Sequence, residues 1–175
     1  ARGLAAVAAG QGVGIHEHSP VVALEREDGG GWIVRTRGGV VHARDVVLAC
    51  GGYLAGLDQR VDRAVLPIAT YVMVTEPLGA RLVEAVNTRA AVYDTRFAFD
   101  YYRALPDTRL LWGGRISVRD RSPHAVKHLL RKDMARVYPQ LADVHIDYAW
   151  SGLMSYARHE MPQIGTDGEG LWWAQ

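Results

Sequence analysis

The chain has 175 residues, 49% of them hydrophobic and 22% charged, which is room for one ordinary domain or for parts of two and argues against disorder. Twenty basic against nineteen acidic residues leave a net charge of +1, so no cationic footprint for nucleic acid is expected. A single cysteine excludes an internal disulfide and a multi-cysteine zinc site and suits a reducing cytoplasm, and no apolar run approaches the ~20 residues that span a bilayer.

Ala1 to Ala9 reads as a helix closed by Gly10 and Gly12. Ile15 to His18 alternates as a short strand. Val21 to Leu24, Trp32 to Thr36 and Val40 to His42, separated by the turns Asp28 to Gly31 and Gly38-Gly39, predict a small antiparallel meander. Asp45 to Cys50 is a continuous apolar run ending in Gly51-Gly52, the pattern of a strand buried on both faces in a parallel sheet. Beyond residue 60 the character changes. Ala69 to Thr75 is β-rich and stops at Pro77, and Ala80 to Val86 is a short helix. Val92 to Asp94, Phe97 to Arg103 and Arg109 to Trp112 are aromatic strands. Pro123 to Leu141 predicts the clearest helix, with Ser122 as N-cap and Val126, Leu129, Leu130, Met134 and Val137 on one apolar face. Val144 to Trp150 is a further strand. The chain has no initiator Met, and Gly170 to Gln175 reads as a strand with no turn after it; both ends are those expected of an internal piece of a longer enzyme.

Few of these residues make a chemical motif alone. Gly10-Gln11-Gly12-Val13-Gly14 follows a helix and lacks G-x-G-x-x-G spacing, so it reads as a helix end. His16-Glu17-His18 has neither a third ligand nor cysteine support, and no metal site is expected. Cys50 has no neighbouring cation and reads as a structural thiol. The cluster Tyr93, Arg96, Phe97, Phe99, Asp100, Tyr101, Tyr102 and Arg103 is richer. Alternation sets Phe97, Phe99 and Tyr101 on one face and Asp100 and Tyr102 on the other. One face would pack a core, and the other would either line a pocket for an amine or a flat cofactor or serve as ordinary sheet surface.

Three stretches together resemble the FAD-dependent D-amino-acid oxidase superfamily: His18-Ser19-Pro20-Val21-Val22-Ala23-Leu24, Val46-Val47-Leu48-Ala49-Cys50-Gly51-Gly52-Tyr53-Leu54, and Trp150-Ser151-Gly152-Leu153 followed by Met161-Pro162-Gln163-Ile164-Gly165. Tyr71-Val72-Met73-Val74-Thr75-Glu76-Pro77-Leu78, with Leu111-Trp112-Gly113-Gly114-Arg115, is similar to the branch labelled gamma-glutamylputrescine oxidoreductase. The resemblance implies an α/β (α+β) fold, with part of a doubly wound FAD-binding domain over 1–59, a mixed-sheet substrate domain over 60–150 and a return to the FAD domain over 151–175. It implies FAD contacts from Val21, Ala49, Cys50 and Gly51, with the phosphate loop upstream of Ala1 and the loop closing on the flavin after Gln175.

The resemblance also bears on substrate. The D-amino-acid dehydrogenases of this superfamily carry Trp-x-Gly-Leu-Arg-Pro, whose Arg grips the α-carboxylate; a gapless match places Met154 and Ser155 there, and Met cannot replace a guanidinium. A shifted match places Arg158 there instead. The gapless match aligns Trp150, Gly152, Leu153, Pro162 and Gly165, and it implies an amine without an adjacent carboxylate. Tyr71, Tyr102, Arg115 and His159 are the expected substrate-side residues, with Arg115 or Arg158 on a distal carboxylate. No Cys follows Cys50, so the implied FAD is noncovalent. The implied reaction is oxidation of an amine C–N bond by a cytoplasmic enzyme. The alternatives are a D-amino-acid or sarcosine-type oxidase using Arg158, and a non-catalytic fragment that binds no cofactor and self-associates through open sheet edges.

Overall fold

A computed structural model describes residues 1–175. The chain divides into two compact units, one made of residues 1–49, 54–63 and 162–175 and the other of residues 50–53 and 64–161.

The first unit opens with α1 (Arg2–Gly10), none of whose residues is buried. The meander follows as expected: β1 (Val21–Arg26), β2 (Trp32–Thr36) and β3 (Val40–Ala43) pair antiparallel in sequence order. Trp32 is its buried anchor, with the Arg26 guanidinium 4.0 Å above the indole ring. Arg26 also bonds Asp167 at 2.5 Å and Glu169 at 2.8 Å, tying β1 to the loop near the end of the chain. β4 (Val46–Leu48) is parallel to β11 (Leu171–Ala174), which in turn pairs antiparallel with β10 (Ile164–Thr166). Leu48 and Leu171 are buried, whereas Val47 is 62% exposed, so β4 is covered on one face and not on both. The expected strand Ile15 to His18 is absent. His18 lies at φ 55 and Ser19 Oγ donates to Glu17 O, so turn chemistry between Gly14 and Pro20 prevails over the alternation. Asp58 Oδ1 accepts the N–H groups of Arg60 and Val61 and so starts α2 (Gln59–Ala64).

The second unit is built on a five-stranded antiparallel sheet in the order β6-β7-β8-β5-β9. Its strands are β5 (Val65–Thr75), β6 (Val92–Tyr93), β7 (Tyr101–Ala104), β8 (Leu110–Ser117) and β9 (Ile146–Ala157). α3 (Ala80–Ala85) and α4 (Pro123–Val137), the latter capped by Ser122 Oγ, supply the helical layer. Val126, Leu130 and Met134 of α4 pack on Ala69, Tyr71, Met73 and Trp112 of the sheet to make the core, while Val137, at the end of the expected stripe, is exposed.

Two differences from the sequence reading matter for the site. Phe97 to Asp100 is a turn and not part of a strand, because Asp94 captures the Arg96 N–H at 2.9 Å and the Asp100 N–H at 3.3 Å, diverting them from a ladder. β9 runs without interruption through Trp150–Leu153, so the stretch expected to open a return at 151 is the middle of a strand of the second unit; the chain re-enters the first unit at Pro162.

Candidate functional site

Alternation along the five strands separates two populations of side chains. Tyr71, Met73, Trp112 and Tyr102 point towards the helices, and Tyr102 and Trp112 stack with centroids 4.4 Å apart and planes 2° from parallel. The opposite face carries a cavity of about 780 Å³ walled by Thr70, Tyr101, Ile116, Met154 and Tyr156 from the strands, with Arg96, Phe97 and Phe99 from the turn before β7 and Glu160 from the turn after β9. Phe97 and Phe99 are 74% and 44% exposed, so the cavity has an apolar rim that solvent reaches. A second cavity, about 790 Å³, lies beside α3 around Leu82, Asn87 and Arg103, without aromatic rings in its wall.

Glycine shapes the aromatic wall. A Cβ on Gly113 would overlap the Tyr101 ring, and one on Gly114 would overlap the Asp100 carboxylate. The two glycines therefore let the Tyr101 ring and Asp100 lie directly on β8. The next residue, Arg115, is the extra residue of a β-bulge: Thr70 pairs with Ile116 and Tyr71 with Gly114, leaving Arg115 unpaired at φ 63. Ala98 and Glu160, also in the cavity wall, have φ 56 and 57. Non-glycine residues in this conformation cluster where a site over-determines the backbone.

Both cationic groups at the cavity are held by carboxylates. Arg115 makes a two-point pair with buried Asp133, Nε to Oδ2 at 2.8 Å and Nη2 to Oδ1 at 2.7 Å. Arg96 bonds Asp94 and, at 2.6 Å, buried Asp100. In each case Nη1 bonds to no partner and remains available to a ligand. Hydrogen bonding to the carboxylates, chiefly Asp133 for Arg115 and Asp94 for Arg96, raises both guanidinium pKa values. Reciprocally, the Arg96 hydrogen bond holds Asp94 down at about 2.

The expected substrate-side residues separate in the structure. Arg115 is in the cavity wall. Tyr71 is 1% exposed, faces the core and donates from its hydroxyl to Arg119 O at 2.5 Å. Tyr102 also faces the core, where Tyr138 donates to its hydroxyl at 3.0 Å; burial first, and this bond second, raise the Tyr138 pKa. Their shift to the core follows from the register, which pairs Tyr71 with Gly114 and Tyr102 with Trp112. Arg158 and His159 lie in the exposed turn after β9, outside the cavity wall, and His159 Nδ1 accepts the Met161 N–H at 3.1 Å. The sequence reading missed Tyr156 and Glu160, which only the full length of β9 brings to the cavity, and had assigned no role to Arg96 or Tyr101 individually.

The residues expected to meet FAD occupy strand ends. Val21 begins β1 and is half-buried. Ala49 is exposed just past β4, Cys50 is half-buried, and Gly51 turns at φ 55 with open space where a Cβ would project. Within the first unit, Gln175 Nε2 donates to Leu48 O at the carboxyl end of β4, and its Oε1 is buried without a partner. An orphaned acceptor at the end of a parallel strand pair suits an N–H donor from a dinucleotide, so the residues present fit the group.

The profile of the family described as "DAO: FAD dependent oxidoreductase" matches residues 1–175. A probable oxidoreductase, OrdL, of Haemophilus influenzae is 34% identical over 177 aligned residues, which cover 98% of this chain and 40% of that protein. The gamma-glutamylputrescine oxidoreductase of Escherichia coli is 32% identical over 145 residues, covering 82% of this chain and 34% of that protein. The chain thus spans between about a third and two fifths of the length of these curated relatives. Among solved structures, glycine oxidase from Geobacillus kaustophilus superposes with a TM-score of 0.76 at 23% identity, over 99% of this chain and 46% of that one. L-Proline dehydrogenase from P. horikoshii gives 0.75 at 16% identity, over 99% and 48%. At these identities the structural likeness speaks for the fold.

Proposed function

We propose, starting from the fact that this chain belongs to the DAO family of FAD-dependent oxidoreductases, that its second unit forms the substrate wall of an enzyme oxidising an amine C–N bond. FAD, noncovalently held, supplies a two-electron acceptor for the C–H bond beside the amine nitrogen. Val21, Ala49, Cys50 and Gly51 are the proposed contacts to it, with Gln175 Oε1 as an added acceptor.

The chain's own residues position the substrate. Phe97, Phe99, Tyr101 and Tyr156 supply rings that exclude water and favour the neutral amine, the only form with a lone pair to develop imine character. Arg115 and Arg96 offer a free Nη1 to a carboxylate remote from the amine, and Glu160 offers a carboxylate to a second ammonium. Those groups suit a substrate with a carboxylate at one end and amines along an aliphatic chain, such as gamma-glutamylputrescine.

One observation carries the substrate reading: Met154 lies in the cavity wall and Arg158 does not. This supports the gapless match, in which Met154 takes the position of the Arg that grips the α-carboxylate in D-amino-acid dehydrogenases. Steady-state kinetics on the FAD-loaded enzyme test it, with gamma-glutamylputrescine against sarcosine and D-alanine. We expect preference for the first, an Arg158→Ala variant within about twofold of the parent in kcat/KM, and at least a tenfold loss, about 1.4 kcal/mol, in Met154→Arg. Preference for α-amino acids, abolished by Arg158→Ala, would overturn the reading in favour of a D-amino-acid or sarcosine-type oxidase. We place the enzyme in the cytoplasm, in keeping with its lone cysteine and with the absence of any helix long and apolar enough to cross a membrane. Self-association would use open sheet edges, among them β4 and β10 in the first unit and β6 and β9 in the second, where Tyr53 Oη already takes the Leu153 N–H of β9.

A further inference from the structure

The solvent face of α4 carries His124, Lys127, His128 and Arg131, spaced i, i+3, i+4 and i+7 and so stacked on one side of the helix. With His145, which precedes β9, they line a cavity of about 210 Å³ floored by buried Ile146. No carboxylate lines it. That is unusual in this molecule, where Arg26, Arg35, Arg81, Arg96, Arg109 and Arg115 each bond an Asp or Glu. Lys127 has no ion-pair partner, and Arg131 donates to a neutral acceptor, Ala142 O, through Nε and Nη2 at 2.9 and 2.6 Å. That bond fixes the guanidinium while leaving Nη1 free. The nearby carboxylates are engaged: Asp147, 3.7 Å from His145 Nε2, is bonded to Arg109, Asp143 is bonded to Arg81, and Glu76 Oε1 accepts the backbone N–H of His145.

Like charges a helical turn apart repel, so gathering these donors in one concavity is unfavourable until an anion enters. We propose that the cavity binds a phosphate-type dianion, either inorganic phosphate or the phosphate of a small metabolite. The donor set suits such an ion: an ammonium point charge, one guanidinium nitrogen and imidazole N–H groups approach from several sides, as tetrahedral oxygens require. A planar carboxylate would engage only part of it. Three carboxylates stand at the margin: Asp147 beside His145, Asp143 towards Arg131, and Glu76, whose Oε1 accepts the His145 N–H at 2.8 Å. Protons gained by the imidazoles of His124, His128 and His145 add charge beside Lys127 and Arg131, so the affinity for an anion of constant charge rises as pH falls.

The site is separate from the aromatic cavity, and its test does not depend on the substrate reading. Calorimetric titration of the FAD-loaded enzyme with inorganic phosphate and with glycerol 3-phosphate should give saturable binding; equal affinities assign the free ion, and tighter binding of the ester assigns the metabolite-borne group. Sulfate, whose charge is constant over the range, should bind at least about tenfold more tightly near pH 6 than near pH 8. Lys127→Glu should abolish binding and His128→Ala weaken it at least about fivefold, with amine turnover unchanged in both as the check on folding. Absence of saturable binding near pH 6, or binding that Lys127→Glu leaves intact, would overturn the proposal.

Discussion

The two faces of the five-stranded sheet are written by alternate residues of the same strands, yet they do different work. Towards the helices, Met73, Trp112, Leu130 and Met134 are wholly buried; the phenols Tyr71 and Tyr102 meet hydroxyl or carbonyl partners, whereas Trp112 Nε1 is buried without one. Towards the cavity, Tyr101, Met154 and Tyr156 leave space unfilled, and bulge and turn residues bring in Arg115, Arg96 and Glu160. One face spends its residues on packing density, the other on recognition, and the bulge at Arg115 is where the strand departs from strict alternation.

That contrast makes distinct demands on substitutions. Trp112→Ala, on the packed face, removes the ring stacked on Tyr102 within the core and should cost about 3–5 kcal/mol in denaturant unfolding. Tyr71→Phe keeps the ring and loses only the bond to Arg119 O, so it should cost about 1 kcal/mol and leave KM unchanged. Tyr101→Phe should do the reverse, leaving stability within about 0.5 kcal/mol while raising KM for the amine. If Tyr71→Phe altered KM without altering stability, the two faces would have been assigned the wrong way round.

The smallest effect concerns acid. Asp94 is held from its ordinary 3.8 to about 2 by Arg96, so its pairing stabilises the fold fully above the ordinary value and is lost as pH falls towards 2. Asp94→Asn removes this contribution, and its stability should change less than the parent's between about pH 5 and pH 2.5 in equilibrium unfolding.

The meander, the α4 helix with its Ser122 cap, and the β4 strand end all follow from periodicity and turn residues, and the structure has each of them. The open face was less legible. Phe97 and Phe99 alternate like strand residues, but Asp94 bonds to backbone N–H groups hold them in a turn, and no local pattern reports that competition. Tyr71 and Tyr102 read as pocket residues because alternation does not tell which face of a strand is covered; Ala69, Tyr71 and Met73 share the face that α4 packs on, and Tyr102 joins it opposite Trp112. Arg115 itself was named from a motif; that it is anchored by Asp133, eighteen positions further on across the strand–helix connection, needed coordinates. His124, Lys127, His128 and Arg131 sit in plain view at helical spacing, yet an exposed basic stripe has no meaning until His145 and the cavity are seen beside it.

The parallel pairing of β4 with β11 has a consequence for the order of folding. Val46 and Leu171 are about 125 residues apart, so closing that contact in an unfolded chain forfeits far more entropy than closing any hairpin of the meander or the β7–β8 pair. The meander and the β7–β8 hairpin can therefore organise while the long-range β5–β9 and β4–β11 pairings are still searching, and Trp172 and Trp173, carried on β11, become reporters of a late step. A slow fluorescence phase after fast recovery of far-ultraviolet dichroism would be the kinetic trace of the β4–β11 pairing.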